Sequence, residues 1–468
     1  MDAGDGPGAR PWAEFGRELR VWRRRAGLTQ GQLGLRVGYH YSVISKLESG
    51  LREPPMGLPR RLDALLGSDG TLTALAEPSG RGRPPRGPSD PTLFPVLPAV
   101  DGTEALAAPG VPVWPPLLPY AGFACPLHDV AGCPVPGPHD LLPALARLVR
   151  GGPAALPDRA VPDLVHGLTA LLPGYTRASV EQVSTEVVSS IERVLHLLVG
   201  WAEVVDRAGR SPLALLRLAA QYAQLAARLR MQRGQSVVGM AWVAHGLAWA
   251  GAGADTVARA TLLSDFCTLT RLDRDAASSL AYARALGEVD RQRGWMATLS
   301  HLYQARAYGL AGAADECLRQ VLLGRRRLDR LDARDVAEAP WLTGDAGVVR
   351  AESSIGGALR DLAAATGDRA TARRAVHATS RSLSHLPARM RPTYLLLTVR
   401  LADAYACAGE PDAAVAVVAP VAAAAARSGR ATITHELRGL RARLAHHWSD
   451  LPEVRDLHDR LRPTPQSG

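Results

Sequence analysis

Residues 27–54 read GLTQGQLGLRVGYHYSVISKLESGLREP, and this stretch decides the fold of the N-terminal region. Thr29 predicts the start of a helix, because a threonine side chain in the capping position accepts a hydrogen bond from a backbone N–H of the first turn. Leu33 and Val37 lie four residues apart, which gives this helix one apolar stripe. Gly38 is expected to end the helix, since glycine enters the left-handed conformation without steric cost.

A second short helix is predicted directly afterwards, over residues 41–49. Ile44 and Leu47 lie about one turn apart and are expected to face inward. Gly50 closes the helix, and the two prolines that follow at 54 and 55 prevent it from continuing. The side chains left to face outward can all donate hydrogen bonds, and they are Tyr41, Ser42, Ser45 and Lys46.

Two further apolar stripes flank this pair of helices. Phe15, Leu19 and Trp22 form the first stripe, on a helix that ends in three arginines. Leu58, Leu62 and Leu65 form the second stripe. Four short helices around one small core, with the second helix of a pair exposed, are typical of a helix-turn-helix domain. The sequence therefore predicts such a domain over residues 12–77, after a disordered tail at residues 1–11.

Several spaced residues resemble the lambda-repressor/Cro-like family, often called XRE-type. They are Leu28-Thr29-Gln30, Gly38, Ile44-Ser45-Lys46-Leu47-Glu48, Gly50, Arg52 and Pro54. The resemblance covers residues 12–77 and implies that double-stranded DNA is the partner. It implies that Gln30 contacts the phosphate backbone, that Tyr41, Ser42 and Ser45 meet base edges, and that Lys46 contacts a phosphate or a base.

The charge of this region favours the same interpretation. Eleven Arg or Lys residues lie between positions 10 and 61, against four glutamates. Such a surface attracts phosphates, and we expect Arg23 to be one of the phosphate contacts. The alternative is a solvated basic surface, because the whole chain carries a net charge of only +10. Glu48 is expected to be structural and to pair with an arginine of the first helix.

The composition limits the class of protein. A chain of 468 residues should hold two or three domains. Lys46 is the only lysine among 55 basic residues, which suggests a GC-rich genome such as that of an actinomycete. Asp2 and Asp5 argue against a signal peptide, and the longest uncharged apolar run, residues 413–426, is too short to span a bilayer. Five cysteines do not form a disulfide framework, so a cytoplasmic protein without membrane contact is expected.

Residues 78–140 are predicted to be a proline-rich linker that contains a Cys/His segment. Twelve prolines lie between positions 78 and 119, which favours an extended, semi-rigid chain. Within it, Arg81-Gly82-Arg83-Pro84 resembles the core of an AT-hook, which places arginines in the minor groove of A·T-rich DNA. A basic Pro/Gly linker is the interpretation we favour for these four residues.

The Cys/His segment contains Cys125, His128, Cys133 and His139, with the spacing C-x2-H-x4-C-x5-H. A tetrahedral zinc ion is one use of four such ligands. Haem-regulatory Cys-Pro pairs and a reversible Cys125–Cys133 disulfide are others. The favoured interpretation is a loop in which these residues have no common ligand, so neither a metal nor a cofactor is assigned from the sequence.

Residues 141–461 are predicted to form helical repeats, which makes the whole chain all-α. The repeats are aligned by turns at Gly234, Asp273, Gly312, Gly367 and Gly409, and small residues follow five positions later at Gly239, Ser278, Cys317, Ala372 and Ala414. Small residues at fixed offsets let paired helices pack closely, and the pattern resembles tetratricopeptide repeats in an α-solenoid. The concave face of such a solenoid is expected to hold a peptide or a partner protein, or the helices only dimerise the chain.

Together these features predict a bacterial, sequence-specific DNA-binding transcriptional regulator that acts as a homodimer. The alternative is a protein-interaction scaffold or anti-regulator that uses the same four helices to bind protein. No nucleophile elbow, metalloprotease helix or P-loop is found in the sequence, so we do not expect an enzyme. The histidines at 166, 196, 245, 301 and 377 are scattered through helical segments and are expected to be ordinary core or surface residues.

Overall fold

The computed structural model describes residues 12–37, 39, 41–55, 58–76, 93–100, 114–128, 132–138, 141–151, 160–181 and 185–461. Over these residues the chain is almost entirely helical, which confirms the all-α prediction. The strands found there are β1, Leu117–Leu118, and β2, Cys133–Pro134, which pair antiparallel. Among the helices described, none combines the length and the apolar character that crossing a membrane requires.

The N-terminal region folds into a bundle of short helices. These are α1 (Ala13–Arg25), α2 (Gln30–Val37), α3 (Tyr41–Glu48), α4 (Leu58–Leu66) and α5 (Thr71–Ala76). The apolar stripes of α1, α2 and α3 meet in one core, as predicted. The stripe of α4 differs: Leu65 is 37% exposed, whereas Leu66 is buried with Leu58 and Leu62. The inward positions of α4 therefore follow an i, i+4, i+8 spacing, and the prediction for Leu65 is wrong.

The cap that begins α2 is the one expected from the sequence. The backbone N–H of Gln32 donates to Thr29 Oγ1 at 3.1 Å, and the backbone N–H of Thr29 donates to Gln32 Oε1 at 2.9 Å. This reciprocal pair is a capping box, which satisfies two N–H groups at the helix start. The last residue of α2 is Val37, and the predicted stop at Gly38 lies outside the described residues.

Two glycines allow α1 to lie close to α3. A Cβ atom on Gly16 would overlap the carbonyl oxygen of Leu47. Gly50 has a φ of +67°, and a Cβ atom there would lie 2.8 Å from the Cα atom of Ala13. A larger residue at either position would push α3 away from α1, so these glycines set the depth at which α3 sits.

The remaining helices follow one another from residue 141 to residue 460. They are α6 (Leu141–Gly151), α7 (Ala160–Glu181), α8 (Thr185–Arg207), α9 (Leu213–Gln232), α10 (Ser236–Ala252), α11 (Thr256–Leu272), α12 (Ala276–Val289), α13 (Gly294–Leu310), α14 (Ala314–Leu328), α15 (Ala333–Glu338), α16 (Gly344–Thr366), α17 (Arg369–Ser384), α18 (Arg391–Ala408), α19 (Pro411–Val418), α20 (Ala422–Ala426), α21 (Ala431–Trp448) and α22 (Pro452–Arg460). A 3-10 turn, Pro340–Leu342, precedes α16. From α8 to α14, and again from α16 to α19, each helix packs against the next.

All five turns predicted from the sequence lie between consecutive helices of this array. Gly234, Gly312, Gly367 and Gly409 each have a positive φ, between 73° and 81°. At the second turn the positive φ, 60°, belongs to Arg274 and not to Asp273. The fully buried small residue five positions later is therefore Ser279 in place of Ser278. The repeat pattern is therefore shifted by one residue at this turn.

Part of the proline-rich segment packs against the helical array. Leu93, Phe94 and Leu97 contact the core formed by α6 to α11. Trp249 Nε1 donates to the carbonyl oxygen of Leu93 at 2.8 Å, which fixes this segment at α10. Leu93, Phe94 and Leu97 are partly buried against this core, so residues 93–100 pack on the array and are not a free linker. The AT-hook-like residues 81–84 lie outside the described residues.

Candidate DNA-binding surface and a Cys/His cluster

Helix α3 presents a polar face away from the N-terminal core. Ile44 and Leu47 are fully buried beneath it. The opposite face carries the four residues predicted to contact DNA, of which Tyr41 is 56% exposed, Lys46 is exposed, and Ser42 and Ser45 are partly exposed. The structure therefore brings these four side chains together on one accessible helix face.

A buried carboxylate joins α3 to the two preceding helices. Glu48 accepts a hydrogen bond from Arg23 Nη2 at 3.1 Å, and it also forms an ion pair with Arg23 Nε. Arg20 Nε contributes a second ion pair at 3.3 Å. This confirms that Glu48 is structural and pairs with arginines of α1. Burial alone would raise the pKa of Glu48, but the hydrogen bonds from Arg23 and Gln30 and the charge of Arg23 outweigh burial and lower it.

The position of Arg23 corrects the prediction that it contacts phosphate. Its exposed fraction is only 8%, and Arg23 Nη1 donates to the carbonyl oxygen of Leu28 at 2.6 Å. The guanidinium is therefore used inside the domain, where it neutralises Glu48 and satisfies a carbonyl between α1 and α2. We therefore expect Arg23 to affect the surface by positioning α3.

Gln30 links the same carboxylate to the start of α2. Gln30 Nε2 donates to Glu48 Oε2 at 2.9 Å, which holds the side chain in a half-buried position. An amide group carries two donor hydrogens, so this bond still allows a contact with phosphate. Gln30 also stands at the N-terminus of α2, where the helix dipole favours an anion.

Basic side chains are exposed at several positions on the surface of the bundle. The exposed ones are Arg17, Arg20, Arg24, Arg25, Arg36, Lys46, Arg60 and Arg61. Some of them are also fixed locally: Arg61 Nη2 donates to the carbonyl oxygen of Val37 at 3.1 Å, and the Arg25 guanidinium lies 5.0 Å from the Trp22 ring centroid. This arrangement places positive charge on the domain without burying it, as binding to a phosphate backbone requires.

A comparison with protein families agrees with this geometry. Residues 14–76 match the family described as "Helix-turn-helix domain". The N-terminal bundle is thus a helix-turn-helix domain, the class of fold that binds DNA through a polar recognition helix. Comparison of the chain with curated proteins and with solved structures finds no match.

The structure also gathers part of the predicted Cys/His segment. Cys125, His128 and Cys133 lie together, and His139 lies outside the described residues. The fourth member of the cluster is His166 on α7, a residue that the sequence predicts to be an ordinary helix residue. No fixed spacing connects a histidine 33 positions after Cys133 to the segment, and only the packing of α7 brings it there.

A charged cavity of about 260 Å³ lies inside the helical array. Its ionisable lining residues are Arg274, Arg360, Asp361, Asp403, His435, Glu436 and Arg443. Glu436 on α21 pairs with Arg271 of α11, Arg360 of α16 and Arg400 of α18. Burial would raise the pKa of Glu436, but the charges of Arg360, Arg400 and Arg271 hold it well below its usual value. The lining of this cavity is thus polar and ionic.

Proposed function

We propose that the protein is a cytoplasmic, sequence-specific transcriptional regulator that binds double-stranded DNA through α3. The observation that carries this proposal is the exposed polar face of α3, held in place by the buried Arg23–Glu48 pair. The family match over residues 14–76 supports it, as does the resemblance to XRE-type domains. We propose a binding protein and not an enzyme, on the basis of the sequence motifs alone.

In this proposal α3 lies in the major groove, as the second helix of a helix-turn-helix does. Tyr41, Ser42 and Ser45 would meet base edges, because they share the exposed face of the helix. Lys46 and the amide of Gln30 would hold phosphates and set the register of the helix on the duplex. The exposed arginines of the bundle would supply the affinity that is independent of sequence.

We propose that the helical array, which resembles tetratricopeptide repeats, binds a peptide or partner protein or joins two copies of the chain. Two observations support a role in recognition. The first residues of α21 return to the end of α9, where Arg430 Nη1 donates to Gln232 Oε1 at 3.0 Å. The last part of the array therefore contacts an early helix, and the charged cavity is lined by residues of α16, α18 and α21. A surface of this kind can hold a polar or charged ligand.

The proposed function is tested by incubating the purified chain with fragmented genomic DNA and sequencing what remains bound. We expect a shared site among the bound fragments, with an affinity that falls steeply as salt rises. A homodimer would protect two half-sites one helical turn apart, about 34 Å. If no fragment is preferred over random competitor at low salt, the regulator proposal fails. The interaction scaffold then takes its place.

A further inference from the structure

We propose a structural zinc site at the junction between the proline-rich segment and the helical array. Its ligands are Cys125, His128, Cys133 and His166. Each residue offers one ligand atom, and all four atoms lie within 4.8 Å of one another. Two sulfur and two imidazole ligands form one of the usual sets for structural zinc.

The distances fit a tetrahedral ion. Zinc bonds of about 2.3 Å to sulfur and about 2.0 Å to nitrogen imply that sulfur and nitrogen ligands lie about 3.5 Å apart. His128 Nδ1 lies 3.5 Å from the Sγ atoms of both Cys125 and Cys133. His166 Nε2 lies 3.1 Å from Cys125 Sγ. These three sulfur–nitrogen distances thus lie within about 0.4 Å of the tetrahedral value.

The backbone around Cys125 has the form of a metal-binding knuckle. The backbone N–H of His128 donates to Cys125 Sγ at 3.4 Å, and the backbone of Leu127 also hydrogen-bonds to this sulfur. Donors aimed at sulfur stabilise the thiolate form, which is the form that binds zinc. Cys133 lies in β2 and pairs with Leu118 in β1. This strand pairing fixes the Cys133 sulfur relative to the Cys125 sulfur.

Burial favours a metal over a redox function for these thiols. Cys125 is 3% exposed, and Cys133 and His166 are also buried. Disulfide exchange depends on access of an attacking thiol to the sulfur, and this burial withholds that access.

The zinc ion would connect two parts of the chain that are distant in sequence. Three ligands come from the hairpin segment and the fourth comes from α7. The same segment is held by Trp114 Nε1, which donates to the carbonyl oxygen of Pro136 at 2.7 Å. The ion would therefore fix the end of the proline-rich segment to the first helices of the array. A proline-rich loop otherwise has few backbone hydrogen bonds with which to hold that position.

The test uses the full chain, purified under reducing conditions, stripped of metal with a chelator and titrated with Zn²⁺. We expect one zinc ion per chain. His166→Asn should weaken zinc binding by about 100-fold or more, since even changes behind the ligands cost about 10- to 100-fold. The matched controls are Cys267→Ser, a buried cysteine on α11, and His139→Ala. Both controls should bind zinc like the original chain.

A second measurement covers the case in which His166→Asn does not fold. Co²⁺ added to the metal-free original chain should give the intense visible bands of a tetrahedral ion and a thiolate charge-transfer band. The proposal is overturned by a weak octahedral spectrum, by no binding at micromolar zinc, or by unchanged zinc affinity in a folded His166→Asn chain. Loss of zinc in His139→Ala together with its retention in His166→Asn would replace His166 with His139 as the fourth ligand.

Discussion

Arg23 of α1 and Glu48 of α3 form a buried ion pair, with Arg23 Nη2 donating to Glu48 Oε2 at 3.1 Å. Both residues lie at the C-terminal ends of their helices. The backbone of Glu48 also lies close to Gly16 of α1. This charge pair therefore helps to hold α3 against α1. Because the exposed face of α3 carries the proposed base contacts, we expect this buried pair to affect DNA recognition by positioning α3.

Replacing Glu48 with glutamine should destabilise the N-terminal domain by about 3 kcal/mol or more, because it leaves the Arg23 guanidinium buried without a counter-charge. Hydrogen exchange of peptides from residues 12–76 measures this loss. Glu53→Gln, at an exposed glutamate in the loop after α3, is the control and should change protection little. Equal protection in the Glu48 and Glu53 variants would contradict a structural role for the pair.

Arg23→Met and Lys46→Ala should separate stability from DNA contact. Arg23→Met should lower both the stability of the domain and its DNA affinity, since Glu48 loses its main partner. Lys46→Ala should leave protection from exchange unchanged and reduce the slope of log affinity against log salt by about 1. A Lys46→Ala chain with the original salt slope would show that Lys46 does not contact phosphate.

Ser45→Ala should reduce the preference for the specific site over random DNA by about 1 kcal/mol, the value of one ordinary hydrogen bond. Ser49→Ala is the matched control near the end of the same helix, because the Ser49 hydroxyl donates back to the carbonyl oxygen of Ser45 at 2.9 Å. Competition binding against random DNA measures both variants. If the preference for the specific site over random DNA falls by the same amount in both serine variants, Ser45 does not contact a base.

The N-terminal domain should lose stability in acid because two of its buried carboxylates have lowered pKa values. Burial would raise the pKa of Asp63, but hydrogen bonds from Ser68 and Thr73 and from the backbone of Leu72 outweigh it. A carboxylate with a lowered folded-state pKa contributes stability above its ordinary pKa, and that contribution is lost as pH falls. The ordinary values are 4.5 for Glu48 and 3.8 for Asp63, so the loss should begin near pH 4.5.

Chemical denaturation between pH 6 and pH 3, followed on peptides of residues 12–76, tests this pH dependence. Asp63→Asn should flatten the decline, because an amide does not titrate. Stability that rises towards pH 3 in the original chain would mean that these carboxylates are not held in their charged form.

The sequence predicts local features of this fold better than it predicts contacts between distant segments. The cap at Thr29, the inward stripes of α1 to α3 and the turn at Gly409 follow from residues within one or two helical turns. The sequence does not predict the burial of Arg23. A run of arginines at the end of a helix has the same sequence pattern whether its side chains face solvent or a buried carboxylate. His166 was missed for a related reason, since its neighbours in the cluster come from another segment.

The ion pairs around Glu436 are a further set of contacts between distant segments that the sequence does not predict, and they give a final prediction. Glu436 faces Arg271, Arg360 and Arg400, which come from three different helices. Glu436→Gln should destabilise the array by about 3–5 kcal/mol, since it leaves these arginines buried with less negative charge. Glu410→Gln, at a partly exposed ion pair with Arg373, should cost less than about 1 kcal/mol.

Both variants are compared with the original chain by thermal unfolding of the full chain. Hydrogen exchange in α11, α16, α18 and α21 then shows which helices lose protection. Exchange should accelerate in all four helices of the Glu436 variant, because the Glu436 carboxylate on α21 pairs with an arginine from each of the other three. If only α21 loses protection, Glu436 anchors its own helix and does not hold the array closed.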